Sequence, residues 1–101
     1  MTSIPPDVRL TPEEVAIIRQ TIRRFDPEAE IILFGSRTDP TARGGDIDLL
    51  VVSQRITPEI RRQIRVDLLL RLGDRKIDLI VTDDPERWVF TSLAYKYGVR
   101  L

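Results

Sequence analysis

At 101 residues, with 42% hydrophobic and 32% charged side chains, the chain has the composition of one folded domain with a modest core, not of a disordered segment. Lys plus Arg and Asp plus Glu are equal at 16 each, which argues against non-specific nucleic-acid binding, because neutralising phosphates takes a basic excess. Histidine and cysteine are both missing, so imidazole bases, histidine or thiolate metal sites and disulfides are excluded. Metal chemistry then falls to Asp and Glu, whose oxygens suit Mg2+ or Mn2+.

Residues 1–10 contain Pro5-Pro6 and no periodicity, and are expected to form a flexible arm of a single domain spanning 1–101. No stretch reaches membrane-spanning length and the opening residues hold no signal-peptide core, so a cytoplasmic protein with no membrane partner is expected. Thr11-Pro12-Glu13-Glu14 predicts a helix start, with Thr11 as N-cap, Pro12 in the first position and Glu14 closing a capping box. Val15, Ile18, Ile22 and Phe25 follow at helical spacing, and Asp26-Pro27 stops the helix. Two apolar runs at 31–34 and 46–52 predict buried strands, separated by a loop containing Gly35-Ser36 and Arg43-Gly44-Gly45.

Thr57-Pro58-Glu59 repeats the capping pattern and opens a second helix reaching Leu72, with Ile60, Ile64, Leu68 and Leu72 as its buried stripe. Arg61, Arg62 and Arg65 are read as its solvated face. Gly73 ends it, and a third strand is expected at 76–82. Asp84 is the expected cap of a last helix with Pro85 in its first position. Trp88, Leu93 and Tyr95 are assigned to its core side, Gly98 ends it, and 99–101 form a tail. The fold class is α/β (α+β), a small three-stranded mixed sheet flanked by helices in the order α-β-β-α-β-α.

The chemistry concentrates in the first two strands and the loop between them. Alternation along a strand puts Asp46 and Asp48 on one face and Ile47 on the other. Two carboxylates one pleat apart repel unless a cation sits between them, and Mg2+ takes one or two carboxylates with substrate phosphates and water. Asp78, in the third strand, can approach the same cradle if strands two and three pair, and three carboxylates would hold two metals. A glycine at the end of the first strand lets backbone N–H groups face an anion, Ser36 adds a hydroxyl donor, and Arg37 and Arg43 can meet phosphate oxygens. Each feature alone has a plainer reading: a common turn, a solvated acidic pair, loop charges. Gly-Ser after one strand, Asp-x-Asp opening a second and Asp in a third form a specific combination.

The run FGSRTDPTARGGDIDLLV, with the later KIDLIV, resembles the signature of the minimal nucleotidyltransferase domains of the DNA polymerase β-like superfamily. The resemblance covers the chain from its first helix through its third strand. It implies that Asp46 and Asp48 bind the Mg2+ ions carrying a triphosphate, with two ions in the site. It further implies that Asp78 binds the catalytic metal and assists deprotonation of the attacking hydroxyl, and that Gly35 and Ser36 hold the β and γ phosphates. The implied reaction moves a nucleoside monophosphate, expected to be AMP from ATP, onto a hydroxyl. Relatives of this size commonly act as antitoxins beside a HEPN-type toxin, and a partner protein is the expected acceptor. The alternatives are a non-catalytic module that neutralises its partner by covering it, and transfer to a small hydroxyl-bearing molecule. Partner-protein readings predict an exposed apolar patch on the last helix and tail, whereas the small-molecule reading predicts an enclosed pocket beside the carboxylates. Where relatives often carry Ser before the first Asp, this chain has Gly45.

Overall fold

A computed structural model describes residues 10–35, 47–73 and 76–101. The expected arm therefore lies outside the described residues except for Leu10. That residue is buried in the core rather than part of a loose arm.

Helix α1, Pro12–Phe25, begins with the predicted capping box: the Glu14 N–H donates to Thr11 Oγ1 and the Thr11 N–H donates to the Glu14 carboxylate. Val15, Ile18 and Ile22 are buried along one side, and Thr21 joins them. At its end Asp26 is itself buried. One carboxylate oxygen accepts from the Glu28 N–H at 3.0 Å and the other from Ser53 Oγ at 2.5 Å. Ser53 Oγ in turn accepts from the N–H groups of Arg55 and Ile56, so this one contact joins the turn after α1 to the start of the next crossover.

Strand β1, Glu30–Phe34, pairs antiparallel with β2, Ile47–Val52, and helix α2, Pro58–Leu72, carries the chain to β3, Ile77–Thr82, which lies parallel to β2. A helical crossover is what a parallel pair requires, and the Thr57 cap and terminal Gly73 set its limits. Ile64 and Leu68 are buried as expected, with Ile60 and Leu72 half-buried against the same core.

Among the described residues the sheet has four strands, not three. Val99–Arg100 forms β4 and pairs antiparallel with β1, giving the order β3-β2-β1-β4. A two-residue strand carries no readable alternation; it forms because the end of the preceding helix delivers the chain to the open edge of β1. Arg100 pairs there with Glu30 at 3.2 Å and lies over the Tyr95 ring, and the neighbouring Tyr95, more than Glu30, raises the guanidinium pKa.

The last helix also departs from expectation. Asp84 does cap a turn starting at Pro85, but this is a short 3-10 turn, Pro85–Arg87. Trp88 then extends, and helix α3, Val89–Tyr97, starts afresh. Trp88 and Leu93, assigned above to the core, are exposed at 63% and 52%, whereas Tyr95 packs on the sheet. With the helix starting after Trp88, the residues packed on the sheet are Ala94 and Tyr95, while buried Thr91 donates its hydroxyl back to the Pro85 carbonyl.

The two faces of the sheet are unequal. Ile31, Leu33, Ile47, Leu49, Val51, Ile77 and Leu79 meet α1 and α2 in the main core. On the opposite face, among the described residues, Ile32, Leu50 and Ile80 meet α3, a helix of nine residues, about 13 Å long. It packs on β1 and β2, and among the described residues it leaves one end of this second face open. None of the helices described is long and apolar enough to cross a membrane.

Candidate active site

Strand alternation decides which residues occupy the open end. Asp48 precedes Leu50 by two positions and Asp78 precedes Ile80 by two, so both carboxylates share the α3 face. In the parallel ladder Asp48 and Asp78 are direct register partners, on strands about 4.8 Å apart. Asp48 is half-buried and Asp78 exposed, one on a central strand and the other on the sheet edge. In the antiparallel ladder, Phe34 is the register partner of Asp48. The pairing on which the approach of Asp78 depended is therefore present.

Gly35 ends β1 with φ +77°, a conformation that favours glycine. Any side chain there would also run into the Asp48 carboxylate, because a Cβ on Gly35 would overlap Asp48 Oδ2. Glycine at this point thus serves two needs at once, the turn and the close approach of backbone to carboxylate. Asp46, Ser36, Arg37 and Arg43 lie outside the described residues. Among the described residues no group of three acidic side chains comes together.

The carboxylates form the floor of an open cleft of about 370 Å³. One wall is aromatic: Phe34 and Phe90 meet edge to face, with ring centroids 5.5 Å apart and planes at 81°. The other wall is basic. Arg61 Nη1 donates to the Leu79 carbonyl at 3.2 Å and Arg65 Nε donates to the Ile77 carbonyl at 3.1 Å. These two arginines were expected on the solvated face of α2. Arg65 is exposed and Arg61 half-buried, and both also reach the edge of β3, where the outward carbonyls of an edge strand need donors. The signal available in the sequence was their position one step beyond Ile60 and Ile64, at the border of the buried stripe facing the sheet.

A paired-carboxylate floor fits a hard divalent cation: two oxygen donors from adjacent strands, an open side for water and phosphate, and a glycine opposite where a side chain would block the approach. Beside the cleft, and sharing Phe34 and Phe90 with it, runs an apolar groove of about 350 Å³ lined by Gly35, Leu93, Ala94 and Tyr97.

Fold and site together define a class. A mixed sheet with helices on both faces brings carboxylates of two parallel strands beside a left-handed glycine that ends a third. This is the arrangement of a nucleotidyl-transferring domain. The family model of the nucleotidyltransferase domain matches residues 15–100, from α1 to β4, and the chain belongs to that family, within the DNA polymerase β-like superfamily. No curated protein matches the sequence.

Proposed function

We propose that this nucleotidyltransferase domain moves AMP from ATP onto a hydroxyl of a partner protein, acting as the antitoxin of a HEPN-type toxin. The observation that carries the choice of a protein acceptor is the apolar surface beside the cleft. Trp88, Val89, Phe90, Leu93 and Tyr97 are all more than half exposed, with Val89 at 79% and Tyr97 at 71%. A run of large apolar side chains on one short helix is the mark of a protein-binding surface. Among the described residues the cleft beside the carboxylates is open rather than an enclosed chamber.

In this reading Asp46, Asp48 and Asp78 hold two Mg2+ ions, which when bound neutralise the triphosphate and the developing charge. Gly35 and Ser36 turn donors toward the β and γ phosphates, with Arg37 and Arg43 supplying positive charge from the same loop. Asp78, the more accessible of the two described carboxylates, accepts the proton of the acceptor hydroxyl. The hydroxyl oxygen forms a bond to the α-phosphorus, the bond from that phosphorus to the bridging oxygen breaks, and pyrophosphate leaves. The Phe34–Phe90 wall shields one side of the cleft.

The test is label transfer. The protein, Mg2+ and each α-labelled nucleoside triphosphate are incubated with host lysate, in parallel with the Asp48→Asn/Asp78→Asn variant. Label from ATP on one polypeptide, lost in the variant, is the expected result. A folded protein that captures and neutralises a partner equally well with both aspartates replaced, and labels nothing, would establish the non-catalytic antitoxin instead. Label on a small molecule would move the acceptor to that class.

A further inference from the structure

The basic wall of the cleft has a property that edge protection alone does not require. Arg61 and Arg65 are one helical turn apart and their bonds to Leu79 and Ile77 straddle Asp78 along β3. Two guanidiniums are thereby fixed about 6–7 Å apart, the spacing of alternate residues on a strand. Neither has a carboxylate partner among the described residues. The strand takes one N–H group of each, so both keep further donors, and both line the cleft. Asp48 and Asp78 in the same cleft offset part of the repulsion between the two guanidiniums, and an anion arriving from outside would offset more. Their place is on the Asp78 side, across the carboxylates from Phe34 and Phe90.

We infer that Arg61 and Arg65 form an anion clamp for the acceptor, selecting a protein segment with acidic side chains beside the modified hydroxyl. This rests on the nucleotidyl-transfer reading above and names the chemistry of its acceptor. Alternate acidic residues of an extended chain repeat at the same 6–7 Å as the two guanidiniums. A bidentate contact to each would hold the hydroxyl between them over Asp78. Phosphates of a single-stranded nucleic acid have similar charge, but the neighbouring α3 face exposes aliphatic Val89 and Leu93 among its aromatics, a surface suited to the apolar side chains of a polypeptide.

The probe is a fluorescein-labelled glutamate–tyrosine copolymer, whose binding to the intact chain with Mg2+ and a non-hydrolysable ATP analogue is read by fluorescence anisotropy. A lysine–tyrosine copolymer and poly-U serve as comparisons. The acidic copolymer should bind, weaken with salt, and lose about tenfold in affinity in Arg61→Gln/Arg65→Gln. Arg61→Lys/Arg65→Lys keeps the charge but not the bidentate fork, and should bind between the unaltered protein and the Gln variant. With α-labelled ATP the acidic copolymer should be labelled, the Gln variant raising KM more than it lowers kcat. Equal binding of both copolymers, or of poly-U as tightly as the acidic one, overturns the clamp; these arms need no variant and stand even if the Gln protein fails to fold. Binding without label transfer would leave the clamp and remove the transferase reading. Transfer to a lysate protein without any preference for the acidic copolymer would do the reverse.

Discussion

Two glycines with positive φ allow the strain of a turn to be separated from the geometry of the site. Gly35 has φ +77° and Gly73 φ +81°, so alanine at either is held in a conformation that costs an L-residue about 1–3 kcal/mol. At Gly73 an added Cβ meets nothing within 4 Å, and strain is the whole effect. At Gly35 the same Cβ overlaps Asp48 Oδ2. That oxygen ends a side chain, so it yields by rotation at a further cost of about 1 kcal/mol. Both variants should therefore fold, Gly73→Ala losing about 1–3 kcal/mol and Gly35→Ala about one more. A loss of 1 kcal/mol corresponds to about 4–8 °C in Tm for a domain of this size. The difference appears in the cleft. The rotated Asp48 no longer shares the position opposite Asp78, and Mn2+ affinity, followed by paramagnetic broadening of the amides of residues 47–49 and 77–79, should fall at least about tenfold, the equivalent of about 1.4 kcal/mol. Gly73→Ala should bind Mn2+ as the unaltered protein does. Equal Mn2+ binding by the two variants would refute the coupling between Gly35 and Asp48.

Gly98→Ala should destabilise by about 2–3 kcal/mol in urea unfolding without changing Mn2+ binding, because its Cβ would lie 2.5 Å from the Ala94 carbonyl and 2.9 Å from that of Leu33, backbone atoms that cannot rotate away; a neutral effect would mean that α3 moves freely on β1. Ser53→Ala leaves a buried Asp26 oxygen without its donor and the Arg55 and Ile56 N–H groups without an acceptor. It should cost about 1–3 kcal/mol, and a loss below about 0.5 kcal/mol in the same unfolding experiment would show that water replaces the hydroxyl. Leu93→Glu changes a side chain 52% exposed, so Tm should hold within the range of a surface substitution, about 0.5 kcal/mol, while capture of the partner protein weakens about tenfold or more. Unchanged capture in a pull-down with purified partner would remove α3 as the docking face.

The legible parts of the chain were those set by short-range rules. Thr11-Pro12-Glu13-Glu14 and Thr57-Pro58 fixed two helix starts because a cap is satisfied within four residues, and both helices end where Asp26-Pro27 and Gly73 stop them. The apolar run ending in Leu49-Leu50-Val51-Val52 marked β2 as a buried strand, and alternation alone set Asp48 and Ile47 on opposite faces of it. The same local rules fail for Val99–Arg100, whose pairing depends on where α3 ends, and for Trp88 and Leu93, which read as core only if the helix runs unbroken from Pro85.

For the candidate site, the sequence by itself determined which groups could do chemistry: oxygen donors without imidazole or thiolate, a glycine ending one strand, and aspartates in two others. Tertiary structure decided their neighbours. The parallel register set Asp78 beside Asp48, the close approach of β1 made Gly35 obligatory there, and the packing of α2 on an open edge brought Arg61 and Arg65 into the same cleft. Residue chemistry and local periodicity belong to the chain itself. Register and edge packing arise between segments distant in sequence, where only burial of the whole sheet selects one arrangement over the others.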